Sequence, residues 1–289
     1  MRNSKLTPVI LLLPLMAVTL TVIIACVNVL LQSIGYVPAF GLTKITLGYY
    51  REVFKRPEFL SALWVSLRIA FVSTLLAAAL GTLLCAALVK RRAGGGMLYT
   101  VRFPILVPHT VVALFIMTLL GQNGIVARAA YGLGLISDYT KFPQILFTPG
   151  YGGAIAGYLW KEIPFVAYYT LALMASVSNT LGEAAENLGA SPLRSFFSVT
   201  LPMSLPAVSK AALIIFIYAF GGYELPALLG STLPKALPVQ AYITYLSPDL
   251  LQRPLAMAMF GVILMLSVLM AALYSIGIRR LIKRLGGEE

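Results

Sequence analysis

The sequence predicts an all-α integral membrane protein with six transmembrane helices, and two observations lead to this fold class. Hydrophobic residues fill 59% of the 289 positions and charged residues only 11%, whereas soluble domains carry about 25% charged residues. The chain also contains long runs without any Asp, Glu, Lys or Arg. Lipid offers no partner to backbone polar groups, so segments that cross it form helices of about 20 apolar residues.

The uncharged runs locate the spans along the chain. Five runs of 20 or more residues lack charge entirely: 6–43, 69–89, 103–127, 163–182 and 254–278. A weaker sixth span follows Lys210 and is interrupted at Glu224. We therefore predict transmembrane helices near 8–31, 61–89, 101–121, 151–176, 206–229 and 255–278. The first of these is too long for a cleaved signal peptide and is expected to stay as an anchor.

Basic residues near the span ends predict the orientation. With both termini in the cytoplasm, the inside segments hold twelve Lys and Arg residues and the outside loops hold eight, leaving out Arg68 and Lys161. The clusters at 90–92 and 279–284 abut helix ends, where the positive-inside rule is strongest. The net charge of +12 is read as contact with anionic lipid headgroups and not with nucleic acid, because the basic residues flank spans.

Three regions are expected in the chain. Residues 1–60 form the first helix and an external loop, residues 61–278 form a core of five spans, and residues 279–289 form a basic cytoplasmic tail. In the external loop, the spacing of Tyr50, Val53 and Phe54 predicts a short amphipathic helix on the membrane surface.

Prolines and glycines predict two irregular spans. Pro104 and Pro108 fall at the start of the third span, where a missing N–H kinks or delays a helix. Gly221, Gly222 and Pro226 are expected to break the fifth span.

A polar segment between the fourth and fifth spans, "EAAENLGASPLRSFFSVTLP", predicts a helical hairpin over residues 180–202. Thr180 and Glu183 have the spacing of a capping box. Gly189 suits the left-handed position after a helix, and Ser191 then caps a second helix with Pro192 in its first turn.

The second helix of this hairpin is expected to carry an apolar stripe and to end at Pro202. The stripe consists of four residues at helical spacing, Leu193, Phe196, Phe197 and Thr200. Aromatic side chains on a polar surface segment are expected to pack on the membrane helices or to enter the groove of a partner.

At this segment the sequence resembles the membrane subunits of binding-protein-dependent ABC importers of the type I fold. Their cytoplasmic signature reads E-A-A, three residues, G, nine residues, Ile or Val, any residue, L-P. All seven places are filled, by Glu183, Ala184, Ala185, Gly189, Val199, Leu201 and Pro202. With about one residue in ten allowed per place, chance gives such a match about once in ten million starts. The resemblance extends over roughly residues 60–275.

The resemblance implies a bacterial inner-membrane permease whose hairpin is a coupling helix. In that family the coupling helix docks in a cleft of a separate ATPase dimer, which carries ATP and Mg²⁺. The family also implies a second permease chain, identical or homologous, and an external solute-binding protein. The residues implied in ATPase coupling are Glu183, Ala184, Ala185, Gly189, Ser191, Pro192, Arg194, Phe196 and Phe197.

The chain lacks the phosphate-binding motif of an ATPase, which agrees with an ATPase on a separate chain. A phosphate-binding loop requires a lysine after a glycine, G-x-x-x-x-G-K-[ST]. None of the nine lysines follows a glycine, so no ATP hydrolysis, catalytic residue or cofactor is expected in this chain. Cys26 and Cys85 lack paired spacing, so no metal site is expected.

Charged residues inside the spans are candidates for a translocation pathway, because such residues are costly in lipid. Glu162 and Glu224 are predicted within spans, and we expect them to face a central cavity with Trp160 and Tyr223. Two structural alternatives remain open: Glu162 pairs with Lys161 or bonds backbone freed by a proline, and Glu224 caps the broken helix. For His109 a structural hydrogen bond is favoured over a proton relay.

The stretch "LGASPLRSFFSVTLP" and the Gly-Tyr-Glu-Leu-Pro of the fifth span are most similar to spermidine/putrescine-type permeases, which implies a polyamine or another small cation as solute. Permeases for iron, thiamine, phosphonate, sulfate and molybdate share much of the first pattern and remain alternatives. A secondary transporter would need inverted repeats with matched broken helices. A membrane enzyme would need a metal or nucleophile cluster.

Overall fold

The computed structural model describes the backbone of residues 7–284 and the side chains of residues 11–277. Within this range the chain is helical, and its only strand-like feature is an isolated bridge between Val37 and Leu42. The described helices are α1 (Thr7–Ser33), α2 (Gly48–Lys55), α3 (Pro57–Lys90), α4 (Gly95–Leu106), α5 (His109–Leu120), α6 (Ile125–Gly132), α7 (Gly152–Val177), α8 (Glu183–Asn187), α9 (Pro192–Ser195), α10 (Leu201–Gly221), α11 (Glu224–Leu229), α12 (Leu237–Tyr245) and α13 (Arg253–Arg284).

Shorter turns join some of these helices. Residues Ser178–Gly182 and Phe196–Thr200 form single π-helical turns, and 3₁₀ turns lie at Pro38–Phe40, Tyr139–Lys141 and Leu250–Gln252. The predicted basic tail begins inside α13, and its residues 285–289 lie outside the described residues. The basic residues Arg2 and Lys5 lie outside them too.

All six predicted spans coincide with helices. Five helical segments are long and apolar enough to cross a membrane: Leu11–Ser33, Pro57–Lys90, His109–Gly132, Pro192–Gly221 and Leu250–Gly277. The remaining span is the 26-residue α7, which is long enough but less apolar, because Lys161 and Glu162 lie in its middle. The all-α membrane fold predicted from composition is therefore confirmed.

Contacts divide the chain into two units. The first comprises the residues up to Leu60 together with Gln240–Leu266, and the second comprises Ser61–Val239 together with the residues from Ser267 onward.

In the first unit, α2 is the predicted amphipathic helix. Val53 is fully buried, whereas Phe54 is half-exposed. The Tyr50 hydroxyl donates a hydrogen bond to Ser33 Oγ at 2.8 Å, which ties α2 to the end of α1. Gly261 of α13 leaves room for this contact, since a Cβ there would lie 2.3 Å from the Tyr50 hydroxyl. The apolar middle of α1 is exposed, as expected for a helix that contacts lipid.

In the second unit, α7 is the central helix. It packs against α4, α5, α10 and α11. Small residues also allow helices to approach α7 closely. Where α3 meets α7, a Cβ on Gly81 would lie 2.6 Å from Cβ of Val166. Lys161 and Glu162 are buried inside this packing, with exposed fractions of 8% and 7%.

Two of the spans are broken, as predicted. In the third span, α4 ends and α5 begins around Pro108, because proline cannot donate the N–H that a continuous helix needs. The carbonyl of Val107, at the end of α4, accepts a hydrogen bond from the Lys161 ammonium. In the fifth span, the helix is interrupted between Gly221 and Glu224.

Candidate functional site

The segment 180–202, called the hairpin below, folds back on itself at a sharp corner. Gly189 takes a φ of +92°, in the left-handed region that favours glycine. Its N–H donates to the Glu186 carbonyl at 2.9 Å, and the N–H of Ala190 donates to the Ala185 carbonyl at 3.0 Å. This pair of bonds is a Schellman motif, which satisfies the last carbonyls of α8 and fixes the corner.

The two arms of the hairpin are fixed to each other. Ser191 Oγ accepts the N–H of Arg194 at 3.4 Å and Pro192 follows it in the first turn, so the predicted cap of α9 is confirmed. The buried Ser195 hydroxyl donates to the Gly182 carbonyl at 3.0 Å. This bond joins the second arm to the residue that precedes α8, so the corner is a rigid unit.

The predicted outer ends of the hairpin helices, at Thr180 and at Pro202, are wrong, because both arms continue into membrane helices. The chain passes from α7 through a π turn into α8. The start of α8 therefore has no free helix end whose N–H groups a capping box would satisfy. The Thr180 hydroxyl instead donates to the Ser176 carbonyl at 2.8 Å. Pro202 does not end a helix either, since the helical segment runs from Pro192 to Gly221. The π turn just before Pro202 already interrupts the regular hydrogen-bond ladder.

The predicted apolar stripe divides between two faces. Phe196 packs against the buried cluster that contains Cys85 and Met174, and Thr200 is buried. Leu193 and Phe197 point the other way and are exposed. Pairs four residues apart, and not all four residues, therefore share a face.

An exposed apolar face remains at the corner of the hairpin. Leu188, Leu193 and Phe197 are 90%, 72% and 59% exposed, and Arg194 is exposed beside them. An exposed apolar patch with a polar rim is typical of an interaction site.

The first turn of α8 carries the other predicted coupling residues. Glu183 opens the helix, and its carboxylate lies 3.6 Å from the Arg92 guanidinium, with both side chains exposed. Ala184 is exposed and Ala185 half-buried. Alanine has the highest helix propensity and leaves this surface flat.

A second group of residues lines a cavity of about 510 Å³ at the break between α10 and α11, called the Glu224 cavity below. His109 Nδ1 lies 3.6 Å from Glu224 Oε2 and 3.1 Å from the Tyr218 hydroxyl. His109 is the first residue of α5 and Glu224 the first residue of α11. The breaks of the third and fifth spans therefore meet at this cavity.

The four residues predicted for a translocation pathway are not all in one place. Tyr223 and Glu224 line the Glu224 cavity. Glu162 is buried in α7, and Trp160 lies against the Phe115 ring with centroids 5.3 Å apart; neither is among the residues that line the cavity. His109 does line the cavity. In the sequence, the feature that points to His109 is its position directly after Pro108, at the predicted helix break.

Close packing shapes the wall of the Glu224 cavity. A Cβ on Gly222 would lie 2.0 Å from the Tyr158 hydroxyl, and Tyr158 is almost fully buried. The cavity thus offers one carboxylate, one imidazole and tyrosine rings, which are groups suited to binding. Among the described residues, no three His, Cys, Asp or Glu side chains are placed to hold a metal ion.

Sequence comparison identifies relatives along most of the chain. The family profile described as "Binding-protein-dependent transport system inner membrane component" matches residues 77–285. The molybdenum transport system permease protein ModB of Haemophilus influenzae is 24% identical over 233 residues, which cover 78% of this chain and 96% of ModB. The putrescine transport system permease protein PotI of Escherichia coli K12 is 26% identical over 175 residues, which cover 58% of this chain and 55% of PotI.

Structural comparison agrees at the level of fold. A chain in the crystal structure of a bacterial alginate ABC transporter, in complex with an alginate pentasaccharide-bound periplasmic protein, superposes with a TM-score of 0.74. It is 18% identical, and the match covers 96% of this chain and 98% of that chain. Because the family match spans well over half of the residues, the chain belongs to the binding-protein-dependent transport system inner membrane components, the multi-pass permease subunits of ABC importers.

Proposed function

We propose that the chain forms half of the membrane pathway of an ABC importer and that the hairpin couples this pathway to a separate ATPase. The complete importer contains two permease chains, identical or homologous, an ATPase dimer that binds ATP and Mg²⁺, and an external solute-binding protein. Closure of the ATPase dimer moves the hairpin, and the Glu224 cavity then opens alternately to the two sides of the membrane.

The main support for this proposal is the exposed corner of the hairpin. Burying one large apolar side chain contributes about 1.5–3 kcal/mol, so burial of Leu188, Leu193 and Phe197 would favour docking against a separate subunit. The Schellman motif and the Ser195–Gly182 hydrogen bond hold the corner rigid. A force applied to the corner therefore moves α7 and α10 and does not merely deform the hairpin. The periplasmic protein in the related alginate transporter supports a binding protein as partner on the opposite side.

We propose that the hairpin and both termini lie in the cytoplasm. The basic residues Lys90, Arg91 and Arg92 follow the apolar part of α3, and Arg92 contacts Glu183 of the hairpin. The basic cluster and the hairpin therefore share one end of the second unit, and positive charge at span ends favours the cytoplasmic side. Six spans return the chain to the side on which it started.

We propose a small cation, such as a polyamine, as the solute. The residues that line the Glu224 cavity include one carboxylate and three tyrosines, and no Lys or Arg. Carboxylates and aromatic faces are the groups that bind amines. The two relatives named above serve molybdenum and putrescine, so this part of the proposal rests on the lining of the cavity.

The test of ATPase coupling is a pull-down of the tagged protein in mild detergent, followed by mass spectrometry. We expect wild-type protein to retain an ATPase and the Gly189→Arg variant to lose it, since that change strains the corner. Gly94→Arg is the matched control, because position 94 also has open space around it and lies outside the hairpin.

Two outcomes would contradict the proposal. One is a wild-type sample without any ATPase, and the other is equal ATPase recovery from wild type and Gly189→Arg. The identity of the permease chains recovered decides between a homodimer and a heterodimer.

A further inference from the structure

A second cavity, of about 520 Å³, lies where α3 ends, α4 begins and α7 meets the hairpin. Its walls are mostly apolar, formed by Leu88, Val89, Leu98 and Leu171 among others. Arg92, Asn179 and Glu183 complete the lining. We call it the Arg92 cavity, and it shares no lining residue with the Glu224 cavity.

The Arg92 cavity is apolar in its depth and charged at its rim. Leu88 is 4% exposed, whereas the side chains of Arg92 and Glu183 are 84% and 57% exposed. A cavity of this kind is complementary to an amphipathic ligand, with an apolar tail in the depth and a charged head at the rim.

The rim presents both signs of charge a few ångströms apart. The Arg92 guanidinium and the Glu183 carboxylate are separated by 3.6 Å and both are well exposed. Exposed pairs of this kind contribute little stability, so a ligand can separate them at small cost. A ligand that replaces this contact must bring an anionic group for Arg92 and a hydrogen-bonding cation for Glu183.

The depth of the cavity in the membrane fits the same ligand. α3 has 34 residues and is about 51 Å long, well beyond the hydrocarbon thickness of about 30 Å. Its last turns, which line the cavity, therefore reach the headgroup level. We propose that the Arg92 cavity binds a zwitterionic phospholipid with a primary ammonium, of the phosphatidylethanolamine class. Its phosphate contacts Arg92 and its ammonium contacts Glu183.

This site places a lipid against the hairpin. Glu183 is the first residue of α8, and Leu88 belongs to the buried cluster on which Phe196 packs. A bound headgroup therefore contacts one arm of the hairpin, and the acyl chains lie on the cluster that supports the other arm. The inference rests on the proposed function in one respect, namely that the hairpin lies at the inner leaflet.

The test compares three lipids on delipidated full-length protein by native mass spectrometry. The probes are phosphatidylethanolamine, phosphatidylcholine and phosphatidylglycerol with identical acyl chains. We expect phosphatidylethanolamine to bind about tenfold more tightly than the other two, because a trimethylammonium cannot donate a hydrogen bond and a glycerol headgroup carries no cation.

Two variants locate the lipid. Glu183→Gln and Arg92→Asn are each expected to lower phosphatidylethanolamine binding about tenfold. Asn is chosen because the φ of Arg92 is +46°, a conformation that Asn tolerates better than other non-glycine residues. Arg91→Asn is the matched control, since Arg91 does not line the cavity, and it is expected to bind as wild type does.

Equal binding of the three lipids, or binding that neither variant changes, overturns the inference. The same samples are assayed for ATPase recovery, and Gly189→Arg is expected to keep its lipid. Lipid binding without any ATPase recovery refutes the proposed function alone. ATPase recovery without selective lipid binding refutes the lipid site alone.

Discussion

At position 222 the absence of a side chain sets the shape of the Glu224 cavity. Any Cβ there would collide with the hydroxyl of the buried Tyr158, so the wall beside Glu224 depends on glycine. The same region contains the His109–Glu224 contact, in which a half-exposed carboxylate faces a mostly buried ring. Glu224 is the one acidic side chain among the residues that line this cavity.

Removing this charge is expected to reduce uptake of a cationic solute. Glu224→Gln keeps the side-chain volume, and a hydrogen bond to a charged group contributes about 1.5–3 kcal/mol, so uptake should fall tenfold or more. The measurement is uptake of labelled putrescine by proteoliposomes that contain the assembled importer.

Glu162→Gln serves as the second variant, since Glu162 is buried outside the cavity lining, and Glu52→Gln in α2 serves as the control. Unchanged uptake of every candidate solute by both Glu224→Gln and Glu162→Gln would show that neither acid acts on the solute.

At the scale of elements, the hairpin depends on the contact between its arms. Ser195→Ala leaves the Gly182 carbonyl without its side-chain donor and is expected to lower the free energy of unfolding by about 1–3 kcal/mol. ATP hydrolysis should also become less tightly linked to uptake, because the corner is less rigid. Thermal denaturation in detergent and the ratio of ATP hydrolysed to solute imported measure the two effects.

Ser198→Ala is the matched control for this change, because Ser198 is exposed on the same arm. Equal melting temperatures for the Ser195→Ala and Ser198→Ala variants would show that this hydrogen bond does not stabilise the hairpin.

The sequence predicts those elements whose cause is local. The breaks at Pro108 and at Gly221 and Gly222, the cap at Ser191 and the left-handed Gly189 all follow from single residues, and the structure confirms them. The capping box at Thr180 is wrong because a local motif cannot show that the preceding helix continues. The short helices α6 and α12 were not predicted. Such elements are stabilised by tertiary packing, and Ala127 of α6 is fully buried.

At the scale of the whole molecule, long apolar runs predict the spans because lipid permits few alternatives to a helix. These apolar runs do not predict which helices pack against one another. The burial of Lys161, which bonds the end of α4, and the meeting of the two helix breaks at His109 and Glu224 depend on which helices are neighbours. The spacing of apolar residues along the sequence does not show which helices are neighbours.

The orientation of the chain gives a prediction at this scale. A cysteine at exposed Gln122, in the loop after α5, is expected to react with a membrane-impermeant maleimide from outside intact spheroplasts. A cysteine at Ser191 in the hairpin should react only in inside-out vesicles. The wild-type chain is the control, since Cys85 is buried and Cys26 lies within α1. Labelling of Ser191→Cys from outside would place the hairpin away from any cytoplasmic ATPase.

Both arms of the hairpin continue through π turns into α7 and α10, so the hairpin acts on these helices as the short arm of a lever. About 24 residues separate Gly182 from Tyr158 on α7, a length of about 36 Å. A tilt of about 5° at the base would displace Tyr158 by about 3 Å over that length. Tyr218 and the Glu224 break lie at the far end of the other arm. A small movement imposed at the hairpin is therefore magnified at Tyr218 and Glu224, which line the Glu224 cavity.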